Sequence, residues 1–226
     1  MTILAIDTAA ALCAACVFDP KTRQVLGRVS LDLEKGHAEH VMAVIERALS
    51  EAGRTYSDVA RIGVSVGPGS FTGVRVGVAA ARGLALALKV PAVGVTTLEA
   101  LAAETAEAWP GRPVLTAIKA GMQVALAAYD RNGVEIEGPR LASLEEAAEQ
   151  ATRAENPVLA GDMAGRIAQA MARDCDFGPL RGTADILYFA RIAAQKEADG
   201  AMPKPLYLRP PDAKPSTTFA VPLKGQ

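Results

Sequence analysis

Residues 60–89 run from a short apolar strand, ARIGVSV, through the glycine-rich turn GPGS into a long helix over 70–89 that Pro91 ends. Small residues recur there at every fourth position, at Gly69, Gly73, Gly77, Ala81 and Ala85. That spacing lays them along one slowly drifting stripe of the helix. A glycine inside a helix costs about 1 kcal/mol relative to alanine, so Gly73 and Gly77 call for another element in close approach. Two elements meet that demand: the chain's own sheet, or a helix of a second chain. Arg75 and Arg82 stand on a different face of the same helix.

The elements on either side follow an order that occurs twice. Apolar runs at 2–7, 12–19 and 24–31 read as strands, with a turn at Asp19-Pro20-Lys21-Thr22. Val41, Val44, Ile45, Ala48, Leu49 and Ala52 carry helical spacing over 37–53, closed by Gly53. After the central strand and helix come a strand at 91–95 and a helix from Thr97 to about Ala108, opened by the capping box Thr96-Thr97-Leu98-Glu99. Past Trp109-Pro110-Gly111 the pattern restarts, with strands at 113–118 and 123–130 and a hairpin turn at Arg131-Asn132-Gly133 into VEIEG. A helix capped at Ser143, a strand at 156–162 and helices near 163–173 and 184–198 complete it. The expected architecture is α/β, with two mixed-sheet lobes, 1–108 and 109–226, the second ending in a proline-rich tail with the option of returning to the first.

The core has to be aliphatic, because half of the 226 residues are hydrophobic and only 4% are aromatic. A net charge of −1 argues against a dominant role in binding tRNA or DNA, since such affinity comes largely from phosphate neutralisation. The N-terminal run lacks a basic leader and is interrupted by Asp7, and 78–88 is too short a span and carries Arg82. The reading is a soluble cytoplasmic protein with no membrane contact.

The motifs that suggest chemistry each lack a part. A phosphate-binding P-loop requires GxxxxGK[ST], whereas Val74-Arg75 follow Gly73 here, and the dinucleotide pattern fails at Thr72. His37 and His40 are the only histidines, and spacing marks no third metal ligand beside them. Cys13 and Cys16 form a CxxC on a strand, where positions three apart face opposite sides, so they read as small core residues. Asp7, at the end of the first strand, is a weak candidate for holding a metal–nucleotide complex. The Ala9-Ala10-Ala11 that follow offer no glycine to cradle phosphate. No Ser/His/Asp or Cys/His set can be assembled.

ILAIDTA, HAEHVMAVIE, VGPGSFTGVRVGVAAARGLA, VTTLEALA and the late PLYLR, in that order, resemble the TsaB (YeaZ) family. The GPGSFTGVRVG block is the most specific, and the second lobe matches weakly. The resemblance implies an ASKHA-type fold, that of actin, Hsp70 and sugar kinases, built from duplicated βββαβα lobes. It implies a non-catalytic subunit without catalytic residues, metal or cofactor, that binds the homologous TsaD. TsaD transfers threonylcarbamoyl to N6 of the adenosine beside the tRNA anticodon, and the ATPase TsaE joins the complex. Contact with tRNA is then indirect.

Dimerisation in that family, with itself or with TsaD, uses helices that map onto 37–52 and 70–89. The interface residues so implied are His37, His40, Val41, Val44, Gly69, Gly73, Val74, Arg75, Gly77, Ala81 and Arg82. A bulky Gly77→Trp is expected to break assembly and spare the fold. Lys119-Ala120-Gly121 stand where many relatives have Asp-Ala-Arg, so the role of that pair is not carried over. The rival reading is an independent ASKHA-type kinase or hydrolase that uses Asp7 and the Gly67–Gly73 loop. A third is a self-dimer with a scaffolding role.

Overall fold

The apolar runs assemble into two five-stranded sheets of the same topology. A computed structural model describes residues 2–33 and 36–208. In the first sheet β1 (Thr2–Asp7), β2 (Leu12–Asp19) and β3 (Gln24–Asp32) form an antiparallel meander, and β4 (Val59–Gly67) and β5 (Ala92–Thr96) join parallel to β1, in the order β3-β2-β1-β4-β5. The second has β6 (Val114–Ala120), β7 (Gln123–Tyr129), β8 (Glu135–Ala142), β9 (Val158–Ala160) and β10 (Asp176–Phe177) in the order β10-β9-β6-β7-β8. Read from β8, this is the first sheet again. The two-residue edge strand β10 is too short for any periodicity to announce it.

Among the described residues six α-helices cover the sheets: α1 (His37–Glu51), α2 (Phe71–Leu88), α3 (Thr97–Ala108), α4 (Leu144–Arg153), α5 (Ala164–Met171) and α6 (Ile186–Gln195). Two of them, α3 and α4, open on capping boxes. Thr96 and Glu99 cap each other's backbone N–H at 3.0 and 2.6 Å, and Ser143 and Glu146 do the same at 3.1 and 2.7 Å. α1 and α2 lie on one face of the first sheet, where Ile45 of α1 and Val78 of α2 pack with Leu4, Ile6, Ile62 and Val64. α3 and α6 fill the space between the sheets, where Ile3, Leu98, Leu101, Ile118 and Phe189 meet. α4 and α5 close the far face of the second sheet, where Ile167 of α5 packs with Leu126 and Leu159.

The second half of the chain thus sends α6 onto the first sheet. Arg61 on β4 fixes it there, donating to the Ala193 and Lys196 carbonyls at 2.9 and 2.7 Å, where a helix end leaves its acceptors unpaired. Residues 203–208 also come back to the first sheet: Pro203 is buried beside Gly94, and the Leu206 N–H donates to the Val66 carbonyl at 2.8 Å. The remainder of the tail, 209–226, lies outside the described residues. Cys13 and Cys16 point into opposite clusters of the same sheet, and burial pushes their thiols up to about 11 and about 12. Both stay protonated and inert near neutral pH.

α2 explains its glycines. Its buried side, Gly73, Val74, Gly77, Val78, Ala81 and Ala85, lies on β4 and on the turn between β1 and β2. A Cβ at Gly73 would overlap the Thr8 carbonyl oxygen, and one at Gly77 would overlap the Thr8 hydroxyl. The stripe is taken up by the chain's own hairpin. Gly77→Trp therefore damages the fold itself, contrary to the expectation drawn from the sequence. α2 is also apolar enough, by length and composition, to pass as a membrane span, with mean hydropathy 1.4 over 18 residues. Here that character splits between a side packed on the sheet and a side left outward.

Gly73→Ala is expected to lower the unfolding free energy by about 2–3 kcal/mol, because a rigid backbone carbonyl has to move. Gly83, on the outward side of α2, has nothing within 4 Å of its Cβ position. Gly83→Ala should raise stability by about 0.5–1 kcal/mol through helix propensity alone. Urea titrations of both variants measure this, and equal effects would contradict the packing described.

Candidate functional site

The turn between β1 and β2, residues 7–11, is where the elements of interest converge. Asp7 is 1% exposed. Its carboxylate accepts the Ala9 N–H at 2.9 Å and the Thr183 hydroxyl at 2.6 Å, the latter from the segment that leads into α6. Burial pushes its carboxyl above the usual range, although Thr183 and Ala9 pull the other way. The Thr8 hydroxyl donates to the Gly73 carbonyl at 2.7 Å, and the Ser70 N–H donates to the Ala9 carbonyl at 2.6 Å. His37 Nε2 donates to the Ala10 carbonyl at 3.0 Å, which ties in the start of α1.

These contacts engage part of what a phosphate site would need. The glycine-rich turn packs Gly69 against Ala9, spends the Ser70 amide on it, and gives the Gly73 amide to the Ser70 hydroxyl at 3.2 Å. Asp7 lies behind this turn, held by two donors, while His37 has its ring nitrogen committed to a carbonyl.

Between the lobes runs a cleft of about 1100 Å³, bordered by Ser70, Thr72, Lys119, Asp162, Arg181 and Thr183. Asp7 is not part of its lining. Lys119 stands at the end of β6, where its backbone N–H donates to Asp162 at 2.8 Å, and Gly121 takes a positive φ of 66° in the turn to β7. Arg181 is forked onto Glu104 of α3 at 2.5 and 2.7 Å, so its charge is already balanced.

The outward side of α2 is the other feature of note. Phe71, Arg75, Ala79, Arg82 and Leu86 are exposed and fall at helical spacing on one side, with Phe71 60% and Leu86 74% open to solvent. Of the residues that the family resemblance pointed to, Arg75 and Arg82 stand on this side and His40 is half-buried on α1. His37, Val41, Val44, Gly73, Val74, Gly77 and Ala81 are instead buried in the chain's own fold. Gly69 is exposed, yet it is pressed on Ala9. Most of those eight pack within the first lobe, and His37, Gly69 and Gly73 also border the cleft between the lobes.

Two residues that the reading of the sequence missed, Phe71 and Leu86, carry the apolar character of the outward side. Their spacing relative to Arg75 and Arg82 was the available signal. The Arg75 guanidinium lies 4.8 Å from the centre of the Phe71 ring.

Comparison with known proteins sets these features in context. The family model for TsaD, tRNA N6-adenosine threonylcarbamoyltransferase, matches residues 23–199, more than half of the chain. The tRNA threonylcarbamoyladenosine biosynthesis protein TsaB of Escherichia coli is 35% identical over 140 residues, covering 59% of this chain and 58% of that protein. An uncharacterized protein of Mycobacterium tuberculosis is 34% identical over 216 residues, 95% of this chain and 94% of its own length. The match to the first curated TsaB relatives thus spans 58–61% of their length. A Pseudomonas aeruginosa structure described as similar to peptidase YeaZ superposes with a TM-score of 0.78 at 23% identity, over 92% of this chain and 99% of that one. The fold is the duplicated ASKHA type, and the chain belongs to the family that the TsaD model describes, within its TsaB (YeaZ) branch.

Proposed function

We propose that this chain is a non-catalytic subunit that binds and activates a TsaD homologue for threonylcarbamoyl transfer to N6 of the adenosine beside the tRNA anticodon. The observation that carries this reading is the outward side of α2, with Phe71 and Leu86 open to solvent beside Arg75 and Arg82. Phe71 and Leu86 stand exposed toward the two ends of that side, with Arg75, Ala79 and Arg82 between them, the mixture of apolar and arginine side chains found at protein contacts. The names of the TsaB relatives supply the pathway. The contact surface then comprises Arg75, Arg82, Phe71 and Leu86 of α2 with His40 of α1, the ATPase TsaE joins the same assembly, and tRNA is met through TsaD.

The interlobe cleft favours a second reading, an ASKHA-type enzyme that binds a nucleotide between its lobes and uses Asp7. Against it stand the two donors that already hold the Asp7 carboxylate. On our reading Asp7 is structural.

A reconstituted reaction with the same organism's TsaD and accessory proteins tests the proposal. Threonylcarbamoyladenosine should form only when this chain is present, and Leu86→Asp should weaken TsaD binding at least tenfold without a loss in Tm. Equal product without the chain would overturn the reading. Asp7 gives an independent test. Its carboxyl is raised in the fold, so the unfolded chain ionises first, near the ordinary value of about 3.9. Its contribution to stability therefore falls as pH rises from about 4 toward the raised value. Asp7→Asn should remove that slope in urea titrations across pH, and Asp7→Ala should cost about 1–3 kcal/mol by orphaning buried donors. Calorimetric heat with ATP and magnesium that vanishes in Asp7→Asn would favour the enzyme instead.

A further inference from the structure

Both sheets are open, so among the described residues four outer strands, β3, β5, β8 and β10, carry backbone groups that no neighbouring strand takes. Such a row is a template on which another chain adds a strand. Here a particular side chain meets each one. On β3 the Arg28 N–H donates to the Glu51 carboxylate at 3.3 Å. On β5 the Gly94 carbonyl accepts from Lys196 Nζ at 3.0 Å, and the Thr96 N–H donates to Glu99 at 2.6 Å. Lys196 and Glu99 also pair with each other at 2.6 Å, so one ion pair lies along that edge. On β10 the Phe177 carbonyl accepts from the indole N–H of Trp109 at 3.2 Å, and Pro179 beyond it has no N–H to offer. β8 interrupts itself. Gly138 and Pro139 stand opposite the one residue Ala127, where the register with β7 shifts.

The places of these side chains have a common rule. Glu51 is the last residue of α1, α3 ends at Trp109, and α6 ends at Lys196. Three helices thus stop with a side chain laid on a strand edge. A carboxylate in the last turn of a helix opposes the helix dipole, so Glu51 does not serve α1 by standing there. We infer that Glu51, Lys196 with Glu99, Trp109 and Pro139 are edge stoppers, which keep the sheets of this chain from joining those of a second copy strand to strand. Association is thereby left to helix and loop surfaces. The closure is thinnest on β8. Val134 and Ile136, at its start, are 59% and 67% exposed, and both are β-branched residues that suit a paired strand. No side chain from another element is laid on that stretch in the way that Lys196 is laid on β5, and Pro139 with its bulge stands as the interruption.

Sedimentation velocity of the full-length chain over a range of concentrations tests this, in a Leu86→Asp background so that pairing through α2 does not contribute. Pro139→Val restores an N–H and a β-branched side chain to β8. It should shift the chain to larger species that grow with concentration, with Tm unchanged from the background. Lys196→Met should do the same at β5, and Lys196→Arg, which still donates, should sediment as the background does. Hydrogen exchange separates pairing from unfolding. New protection over 134–142 in Pro139→Val supports the inference, whereas larger species with protection lost across the second lobe would overturn it. Both Pro139→Val and Lys196→Met sedimenting as the background does would overturn it as well.

Discussion

The packing of α2 on the turn after β1 governs the rest of the molecule. Gly73 and Gly77 let the helix backbone come down onto Thr8, and Thr8 returns a hydroxyl to the Gly73 carbonyl. That approach seats the glycine-rich turn on the turn after β1, at the edge of the cleft between the lobes. It also fixes the rotation of the helix about its axis. With Gly73, Gly77 and Ala81 turned inward, Phe71, Arg75, Arg82 and Leu86 have to face out. One steric constraint thus seats the glycine-rich turn and turns Phe71 and Leu86 outward together with two arginines.

The turn between β1 and β2 also binds the two lobes. Asp7 takes the Thr183 hydroxyl from the segment before α6, and Arg28 of β3 pairs with Asp185 at 2.5 Å. Arg181 and the Asp185 N–H both use Glu104 of α3. The loop 178–185 is held to the first lobe at each of these points, and it borders the cleft. Burying the Asp7 carboxyl costs ionisation energy, which its hydrogen bonds only partly offset. Asp7 thereby links the end of β1 to the segment that leads into α6.

Much of this was legible in advance. Short apolar runs placed the strands of the first lobe, and Thr96/Glu99 and Ser143/Glu146 marked two helix starts through side-chain chemistry that acts locally. The repeated order of elements is matched by the repeated strand order of the sheets. Legibility failed where the answer depends on distant partners. A small-residue stripe fits a strand or a foreign helix equally well, so Gly73 and Gly77 alone do not reveal which one they meet. Asp176 and Phe177 pair with β9 in a ladder too short to leave a pattern. Leu206 and Tyr207 take their places from Val66 and Phe71, more than a hundred residues earlier, and no local rule links them.

The account's central claim is that the outward side of α2, and not the cleft between the lobes, is where this chain meets its partner. Hydrogen exchange measured with and without the purified TsaD homologue tests that claim most directly. Protection should rise over 71–88 and the adjoining part of α1, with the cleft segments 118–122 and 179–183 unchanged. Protection confined to those cleft segments, with 71–88 unaffected, would contradict it.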